Sequence, residues 1–218
     1  MKPLNKYFDH TNLKPTASEA DIIRLCQEAK KYDFYAVCVQ GSYVSLAAKE
    51  LEDSDIKVAS VVGFPLGMSS SEVKKFEAEF ACSCGAQEID MVINIGALKE
   101  GRYDYVKKEI SDIAAVGGRH KAIVKVILET CLLTDEEIIK GCQLAIEAGA
   151  AYVKTSTGFS TAGASPSTVA LMKKTVGDKI LIKASGGIRD VLATKEMLRL
   201  GANRIGSSAS VAIMEALK

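Results

Sequence analysis

The chain has 218 residues, of which 48% are hydrophobic and 25% charged, so its composition is that of a globular protein and excludes a disordered or fibrous one. Its 28 basic residues balance 27 acidic ones, which argues against a general surface for nucleic acid or another polyanion, although local lysines can still hold a phosphate. The chain shows neither a signal peptide nor an apolar run approaching the roughly 18 residues of a membrane span, so we expect a cytoplasmic protein that contacts no membrane.

Eight short extended segments are predicted, each followed by a loop rich in Gly, Ser, Thr or Pro and, for the first seven, by a helical pattern. They begin near Tyr7, Ala36, Lys57, Glu88, Ala122, Tyr152, Ile180 and Arg204. The intervals of 21 to 34 residues are close to the roughly 30 residues of one strand-plus-helix unit. We therefore predict an α/β protein, a single (β/α)8 TIM barrel over residues 1–218, with no linker and no second domain.

The helices between these strands have recognisable ends. Ser69 to Glu72 and Thr134 to Glu137 fit capping boxes, in which a side chain and the backbone satisfy each other's end groups. Helix stops are predicted at Gly85, Gly117, Gly149 and Gly201. A doubly wound open sheet is the alternative architecture, but it does not need eight evenly spaced units, and no Gly-x-Gly-x-x-Gly follows the first strand.

Four successive strands each carry an ionisable residue inside an apolar run: Asp90, Lys125, Lys154 and Lys183. Because side chains alternate along a strand and the outer face of a barrel meets apolar helices, we expect these charges to point into the barrel near its mouth. A solvent-facing strand end or a stabilising ion pair is the simpler explanation for one buried lysine, but it is strained for four strands in a row. For Lys125 an ion pair with Asp90 or Glu129 stays open.

Three lysines that face one another predict an unusual amine. Both burial and a neighbouring like charge lower the pKa of a lysine, so at least one amine is expected to be partly neutral, and therefore nucleophilic, near pH 7. A neutral amine attacks carbonyl groups to form a Schiff base, and the protonated imine then withdraws electrons from the adjacent carbon. This is the chemistry of an aldolase.

Glycine and hydroxyl residues follow the late strands in three strings: Thr155-Ser156-Thr157-Gly158, Ser185-Gly186-Gly187 and Gly206-Ser207-Ser208. Backbone N–H groups of such loops bind phosphate, and barrels often place a phosphate after strands 7 and 8. Each glycine taken singly is explained as a turn or cap residue, and only the set indicates a site. We therefore expect a phosphorylated substrate.

The six cysteines and two histidines show no metal-binding pattern, because no Cys-x-x-Cys pair is present. Four of the cysteines lie in helical patterns and are interpreted as packing residues: Cys26, Cys82, Cys84 and Cys142. His10 beside Asp9 suggests an acid–base pair, but a histidine at a strand end is more often structural, and we assign it no catalytic role.

Two strings are together highly specific for one enzyme family: Lys154-Thr155-Ser156-Thr157-Gly158 and Lys183-Ala184-Ser185-Gly186-Gly187. Further motifs that match this family extend along the chain from Asp9-His10-Thr11 to Gly206-Ser207-Ser208. On these residues the sequence resembles the bacterial 2-deoxyribose-5-phosphate aldolases, class I enzymes of the (β/α)8 fold. The resemblance implies reversible cleavage of 2-deoxy-D-ribose 5-phosphate to D-glyceraldehyde 3-phosphate and acetaldehyde, without metal or organic cofactor. Family analogy also suggests a homodimer.

The resemblance further implies roles for individual residues. Lys154 occupies the Schiff-base position, Lys183 that of a second lysine that keeps Lys154 deprotonated, and Asp90 that of a carboxylate that relays protons with a water. The residues implied to bind the substrate or to shape its pocket are Asp9, Cys38, Lys125, Thr155, Gly158, Gly186, Gly187, Gly206, Ser207 and Ser208.

Two departures from relatives bear on the mechanism. Phe159 stands where some relatives carry a lysine, so phosphate affinity is expected to rest more on backbone amides. The chain stops at Lys218 without the terminal tyrosine of some relatives, so proton transfer is expected to rely on Asp90, Lys183 and water. Two alternative functions stay open: another Schiff-base aldolase acting on a phosphorylated ketose, and a non-catalytic phosphosugar-binding barrel.

Overall fold

Eight parallel strands form a closed barrel in the computed structural model, which describes residues 2–217. The strands are β1 (Phe8–Asn12), β2 (Ala36–Val39), β3 (Lys57–Val62), β4 (Glu88–Val92), β5 (Ile123–Ile127), β6 (Tyr152–Lys154), β7 (Leu181–Ser185) and β8 (Arg204–Ser207). Each strand pairs with the next and β1 pairs with β8, so the sheet has no edge. The predicted (β/α)8 fold is confirmed, and every strand begins within one residue of its predicted start.

Helices surround the barrel. Among the described residues they are α1 (Glu19–Tyr32), α2 (Val44–Glu50), α3 (Ser71–Ser83), α4 (Ile95–Lys99), α5 (Tyr103–His120), α6 (Asp135–Glu147), α7 (Pro166–Val176), α8 (Val191–Arg199) and α9 (Ser210–Glu215). Short 3₁₀ turns lie at Leu4–Tyr7, Gly41–Tyr43 and Thr130–Leu132. None of the helices described is both long and apolar enough to cross a lipid bilayer. The expectation that the chain ends at Lys218 without a terminal tyrosine concerns a residue outside the described range.

The main hydrophobic core lies between the strands and the helices. Ile89 and Met91 of β4 are fully buried in it. Because side chains alternate along a strand, Asp90 between them points to the inside of the barrel, and the same alternation applies to Lys125 on β5. Both charged side chains are fully buried. The barrel is therefore apolar on its helix-facing side and ionic within.

The helix starts confirm one predicted capping box and correct the other. The box from Thr134 to Glu137 begins α6 with both reciprocal hydrogen bonds present. The box from Ser69 to Glu72 is wrong, because Ser70 is the cap of α3 and its hydroxyl accepts a hydrogen bond from the Val73 N–H at 3.4 Å. Three consecutive serines, Ser69, Ser70 and Ser71, stand at the start of this helix, and the motif alone does not select the one that caps it.

Three of the four predicted helix stops are confirmed by glycines with left-handed backbone just after α3, α6 and α8: Gly85, Gly149 and Gly201. The stop at Gly117 is wrong, because α5 continues to His120 and ends at Lys121, which takes the left-handed conformation instead. A Cβ atom at position 117 would lie 2.6 Å from the carbonyl oxygen of Ala122. This glycine therefore permits a close approach of α5 to the start of β5.

Candidate active site

Seven buried ionisable side chains meet inside the described part of the barrel. Three are carboxylates and four are cations, and none is more than 3% exposed: Asp9, Glu88, Asp90, Lys125, Lys154, Lys183 and Arg204. The strand register brings them together, because Asp90 lies beside Lys125 and Lys154 beside Lys183 on neighbouring strands. The four ionisable residues selected from the sequence therefore meet at one place.

Asp90 contacts all three lysines. Its Oδ2 atom accepts hydrogen bonds from Lys154 Nζ at 2.8 Å and from Lys183 Nζ at 2.7 Å. Its Oδ1 atom accepts one from Lys125 Nζ at 2.7 Å. Because Lys154 and Lys183 share a single oxygen atom, each amine lies within the electric field of the other.

The three lysines differ in their acidity. Burial lowers the pKa of Lys154, an effect that Asp90 opposes and the Lys183 ammonium reinforces. Burial also disfavours the charged form of Lys183, but Asp9 and Asp90 outweigh it and raise the pKa. Asp90 and Glu88 likewise raise the pKa of Lys125 against the effect of burial. These shifts favour Lys154 as the neutral amine and keep the other two lysines as ammonium groups.

The sequence interpretation missed Glu88 and Arg204, the first residues of β4 and β8. Arg204 Nε donates to Asp9 Oδ1 at 2.7 Å, and its Nη2 donates to Glu88 Oε2 at 2.9 Å. Glu88 Oε2 also lies 2.6 Å from Lys125 Nζ. A charge at a strand start is usually a solvent-facing end, but Glu88 stands two residues before Asp90 and so shares its inward face, which was the available signal.

Glu129, the other partner considered for Lys125, contacts the loop between β6 and α7 instead. Its backbone has a φ of 57°, and its carboxylate accepts hydrogen bonds from the Thr157 N–H at 3.3 Å and from the Thr157 hydroxyl. Thr157 Oγ1 in turn accepts a hydrogen bond from the Phe159 N–H at 3.1 Å. Glu129 therefore fixes the start of the loop that follows Lys154.

A cavity of about 260 Å³ opens at the carboxyl ends of the strands and includes Lys154 in its lining. Six further residues expected at the substrate line it: Gly158, Gly186, Gly187, Gly206, Ser207 and Ser208. The other expected residues do not line the cavity and lie buried in the barrel: Asp9, Cys38, Asp90, Lys125, Thr155 and Lys183. The candidate site thus has an open glycine-rich part above a buried ionic part.

Several buried members of the site have structural partners. Cys38 packs with Leu13 and Val61 inside the barrel, and burial followed by the charge of Asp90 raises the pKa of its thiol. The Thr155 hydroxyl donates to the Ser185 carbonyl oxygen at 3.0 Å, which ties β6 to β7.

Gly206 leaves room for the second lysine. A Cβ atom at position 206 would lie 3.0 Å from Lys183 Cε and 2.9 Å from Ser185 Cβ. The absence of a side chain there lets Lys183 extend to Asp9 and Asp90.

The open part of the cavity carries two cations that the sequence interpretation missed. Lys14, which follows β1, and Arg189, which follows the Gly186-Gly187 pair, both line it and are exposed. Their positions after strand ends were the available signal. Phe159 lines the same cavity and packs edge-on against Phe64, with ring centroids 5.3 Å apart.

A family model described as "DeoC/LacD family aldolase" matches residues 4–212. The chain belongs to the DeoC/LacD family of aldolases. A deoxyribose-phosphate aldolase from Thermococcus gammatolerans is 57% identical to this chain over 212 residues, which are 96% of this chain and 94% of the relative. The family resemblance seen in the sequence is thereby confirmed, and the protein is an aldolase, a carbon–carbon lyase.

Solved structures agree with the family assignment. The aldolase QR15 superposes on this DeoC/LacD aldolase with a TM-score of 0.95 at 41% identity, covering 100% of this chain and 96% of that one. A deoxyribose phosphate aldolase from Aeropyrum pernix, described as a unique tetramer, gives a TM-score of 0.93 at 34% identity, covering 98% and 90% of the two chains.

The chemistry of this DeoC/LacD aldolase is set by the groups beside its cavity. Within residues 2–217, no three His, Cys, Asp or Glu side chains are grouped so as to hold a metal ion. The groups that meet at Lys154 are amines and carboxylates, which form imines and move protons.

Proposed function

We propose that this aldolase reversibly cleaves 2-deoxy-D-ribose 5-phosphate to D-glyceraldehyde 3-phosphate and acetaldehyde through a Schiff base on Lys154. The observation that carries the proposal is the buried Lys154 amine, which lines the cavity and shares Asp90 Oδ2 with the Lys183 ammonium. The names of relatives such as the Thermococcus gammatolerans enzyme support the choice of substrate.

The reaction begins when the neutral Lys154 amine attacks the aldehyde carbon of the open-chain sugar. Uptake of one proton and loss of water give a protonated imine, which accepts the electron pair of the C2–C3 bond as that bond breaks and the C3 hydroxyl loses its proton. D-glyceraldehyde 3-phosphate leaves, and an enamine remains on Lys154. Protonation of the enamine carbon and hydrolysis then release acetaldehyde and restore the amine.

Asp90 and Lys183 move protons in this scheme. Asp90 lies 2.8 Å from Lys154 Nζ and 2.7 Å from Lys183 Nζ, so it accepts a proton in one half of the reaction and returns it in the other, with water as carrier. Lys183 keeps Lys154 neutral by its charge. Lys125 and Asp9 hold Asp90 and Lys183 in place, while Cys38 and Thr155 shape the wall of the site.

We place the phosphate of the substrate at the open part of the cavity. Gly158, Gly186 and Gly187 have left-handed backbone there, and such glycine-rich loops present N–H groups to anions. Gly206, Ser207 and Ser208 complete this wall. Lys14 and Arg189 supply the positive charge that Phe159 does not.

We also propose that the chain forms a homodimer through an apolar surface around α3. Five exposed apolar side chains define this α3 surface: Leu66, Met68, Val73, Phe76 and Phe80. Large exposed apolar patches commonly mark interaction sites. The tetramer described for the Aeropyrum pernix relative makes a larger assembly the alternative.

The expected cytoplasmic location stays a prediction.

Trapping of the imine tests the catalytic proposal. Borohydride reduction in the presence of acetaldehyde, followed by peptide mass mapping, is expected to label Lys154 and to abolish activity. The Lys154→Arg variant should take no label at any lysine of the site. A label on Lys183 or Lys125 of the native protein, or no label, contradicts the proposal.

The substrate is tested separately. Release of acetaldehyde from 2-deoxyribose 5-phosphate supports the proposal, whereas release of dihydroxyacetone phosphate from a ketose phosphate supports the alternative aldolase. The non-catalytic phosphosugar-binding barrel disagrees with the family assignment.

A further inference from the structure

The seven charges inside the barrel do not balance. Four cations face three carboxylates, so the described cluster carries one excess positive charge when every group is ionised. A buried excess charge is unfavourable, and a lysine can relieve it by releasing its proton whereas an arginine cannot. Lys183 contacts two carboxylates, Asp9 and Asp90, while among the described carboxylates Lys154 contacts Asp90 alone. Lys154 is therefore the group from which the excess proton leaves.

Arg204 and Glu88 contribute to this balance without reaching the cavity. They begin β8 and β4, at the amino ends of the strands, which form the floor of the barrel opposite the mouth. The Arg204 guanidinium lies 3.6 Å from the centroid of the Tyr35 ring, and its remaining donors contact Asp9 and Glu88. Neither residue lines the cavity that contains Lys154.

We propose that Arg204 and Glu88 are positioning residues that act from the floor of the barrel to set how readily the Lys154 amine loses its proton, Arg204 favouring the neutral amine and Glu88 opposing it. The inference rests on the proposed role of Lys154 and adds how that role is maintained. Arg204 supplies a fixed positive charge, and this charge gives the fully ionised cluster its excess of one positive charge. Glu88 offsets part of that charge and so limits how strongly Lys154 is driven to release its proton.

Two series of direct side-chain contacts connect the floor of the barrel to Lys154. On one side Arg204 holds Asp9, and Asp9 holds Lys183 against Asp90. Without Arg204, Asp9 binds Lys183 more strongly and leaves Asp90 freer to hold the proton of Lys154.

On the other side Glu88 binds Lys125, which donates to the second oxygen of Asp90 at 2.7 Å. Without Glu88, Lys125 relies more on Asp90, and Asp90 attracts the Lys154 proton less. The two floor residues therefore affect Lys154 in opposite directions.

The other groups that face the cluster stay unchanged when only the floor is altered. The titratable and charged groups around it, taken over all the strands that contribute one, are Asp9, Tyr35, Cys38, Glu88, Asp90, Lys125, Tyr152, Lys154, Lys183 and Arg204. Substitution of Arg204 or Glu88 by glutamine removes one charge of known sign and keeps hydrogen-bonding capacity. The net charge of the cluster falls by one in the first case and rises by one in the second.

The acid limb of kcat/KM for cleavage of 2-deoxyribose 5-phosphate measures the result, because it follows the protonation of the free enzyme. In Arg204→Gln the limb is expected to move to higher pH by about one unit, and in Glu88→Gln to lower pH by a similar amount. The double variant, which restores the native excess charge, is expected to return the limb towards its native position.

A matched control separates the effect of the cluster charge on the acid limb from the general effect of breaking a buried ion pair. Lys74 and Glu109 form an equally buried pair between α3 and α5, with Lys74 Nζ 2.7 Å from Glu109 Oε1, and neither belongs to the barrel cluster. Lys74→Met should lower the melting temperature and leave the acid limb in place.

The outcomes are distinct. A shift of the acid limb to higher pH in Arg204→Gln and to lower pH in Glu88→Gln supports the inference. A limb that stays in place in Glu88→Gln, or that moves in the same direction in both, overturns it. If Arg204→Gln does not fold, the Glu88→Gln result decides alone, because that substitution preserves size and shape. Failure of the proposed function is seen separately, as the absence of a borohydride label on Lys154 in the native enzyme.

Discussion

Lys154 and Lys183 are the same residue type in register on neighbouring strands, yet their surroundings give them opposite acidity. Both are buried and both contact Asp90 Oδ2. The difference is Asp9, which contacts Lys183 and raises its pKa, whereas Lys154 has no second carboxylate among its described partners. One additional carboxylate therefore separates the candidate nucleophile from the ammonium group beside it.

The charge of Lys183 is tested by Lys183→Leu. Removal of this ammonium leaves Lys154 under less repulsion, so the Lys154 pKa rises towards its usual value. Because the reaction needs the neutral amine, activity is lost as the pH falls through this pKa, and the acid limb of kcat/KM should move to higher pH by about one unit or more. Lys183→Arg keeps the charge and serves as the control. An unmoved limb in Lys183→Leu would contradict the like-charge explanation.

The individual site residues could be predicted from the sequence where a polar residue interrupts an apolar strand. Lys125 and Lys154 stand out for this reason, and alternation along the strand predicts their inward direction. Arg204 did not stand out, because it is the first residue of its strand and its partner Asp9 lies 195 residues away along the chain. No local pattern shows a contact that closure of the barrel alone creates.

Among the connecting elements, the loops after β6 and β7 depend on each other. The Ala164 N–H donates to the carbonyl oxygens of Ser185 and Gly186, both at 3.0 Å. A Cβ atom on Gly163 would lie 2.1 Å from the Gly186 oxygen, so only glycine allows the two loops this close. The position of the proposed phosphate site is therefore set by a backbone contact between two loops.

Gly163→Ala tests this dependence. The added methyl group is expected to displace the Gly186 loop and to raise the KM for 2-deoxyribose 5-phosphate about tenfold, which corresponds to about 1.4 kcal/mol of binding free energy. The kinetics with unphosphorylated 2-deoxyribose should change much less. Gly41→Ala is the matched control, because a Cβ atom there meets nothing within 4 Å. Equal losses with both sugars would contradict a phosphate site at this loop.

Two adjacent glycines of α5 should respond in opposite ways to alanine. Gly118 is exposed and a Cβ atom there meets nothing, so Gly118→Ala is expected to increase the free energy of unfolding by about 0.5–1 kcal/mol through helix propensity. Gly117→Ala introduces a clash with the Ala122 carbonyl and should decrease it by about 1–3 kcal/mol. Urea unfolding of the two variants measures both values, and a stabilising Gly117→Ala would show that the close approach is not needed.

The elements themselves were well predicted, since their existence follows from hydrophobic periodicity, but two of their ends were not. The residue that caps α3 depends on which of three serines is extended, and the end of α5 depends on packing against Ala122. At α5 a tertiary contact decides the outcome, because the close approach to Ala122 places a glycine inside the helix. Neither error affects the site, because the strands carry the charged residues.

For the whole molecule, the α3 surface predicts assembly. Phe76 is 73% exposed in a single chain, and Phe76→Glu should convert a dimer into a monomer in light scattering because a dimer would bury this charge. Leu192→Glu on α8 is the control, since Leu192 is even more exposed but lies outside the α3 surface. Unchanged mass in Phe76→Glu, or a native protein that is monomeric, would contradict the proposed dimer.

Closure of the barrel has a chemical consequence, because it pairs the first strand, β1, with the last, β8. In an unfolded chain a lysine has an ordinary pKa, so only roughly one amine in 2,500 is neutral at pH 7. The Asp9–Arg204 and Asp9–Lys183 pairs form only after that closure. A nascent or partly unfolded chain therefore lacks an amine that reacts readily with aldehydes, and reactivity emerges together with the finished fold.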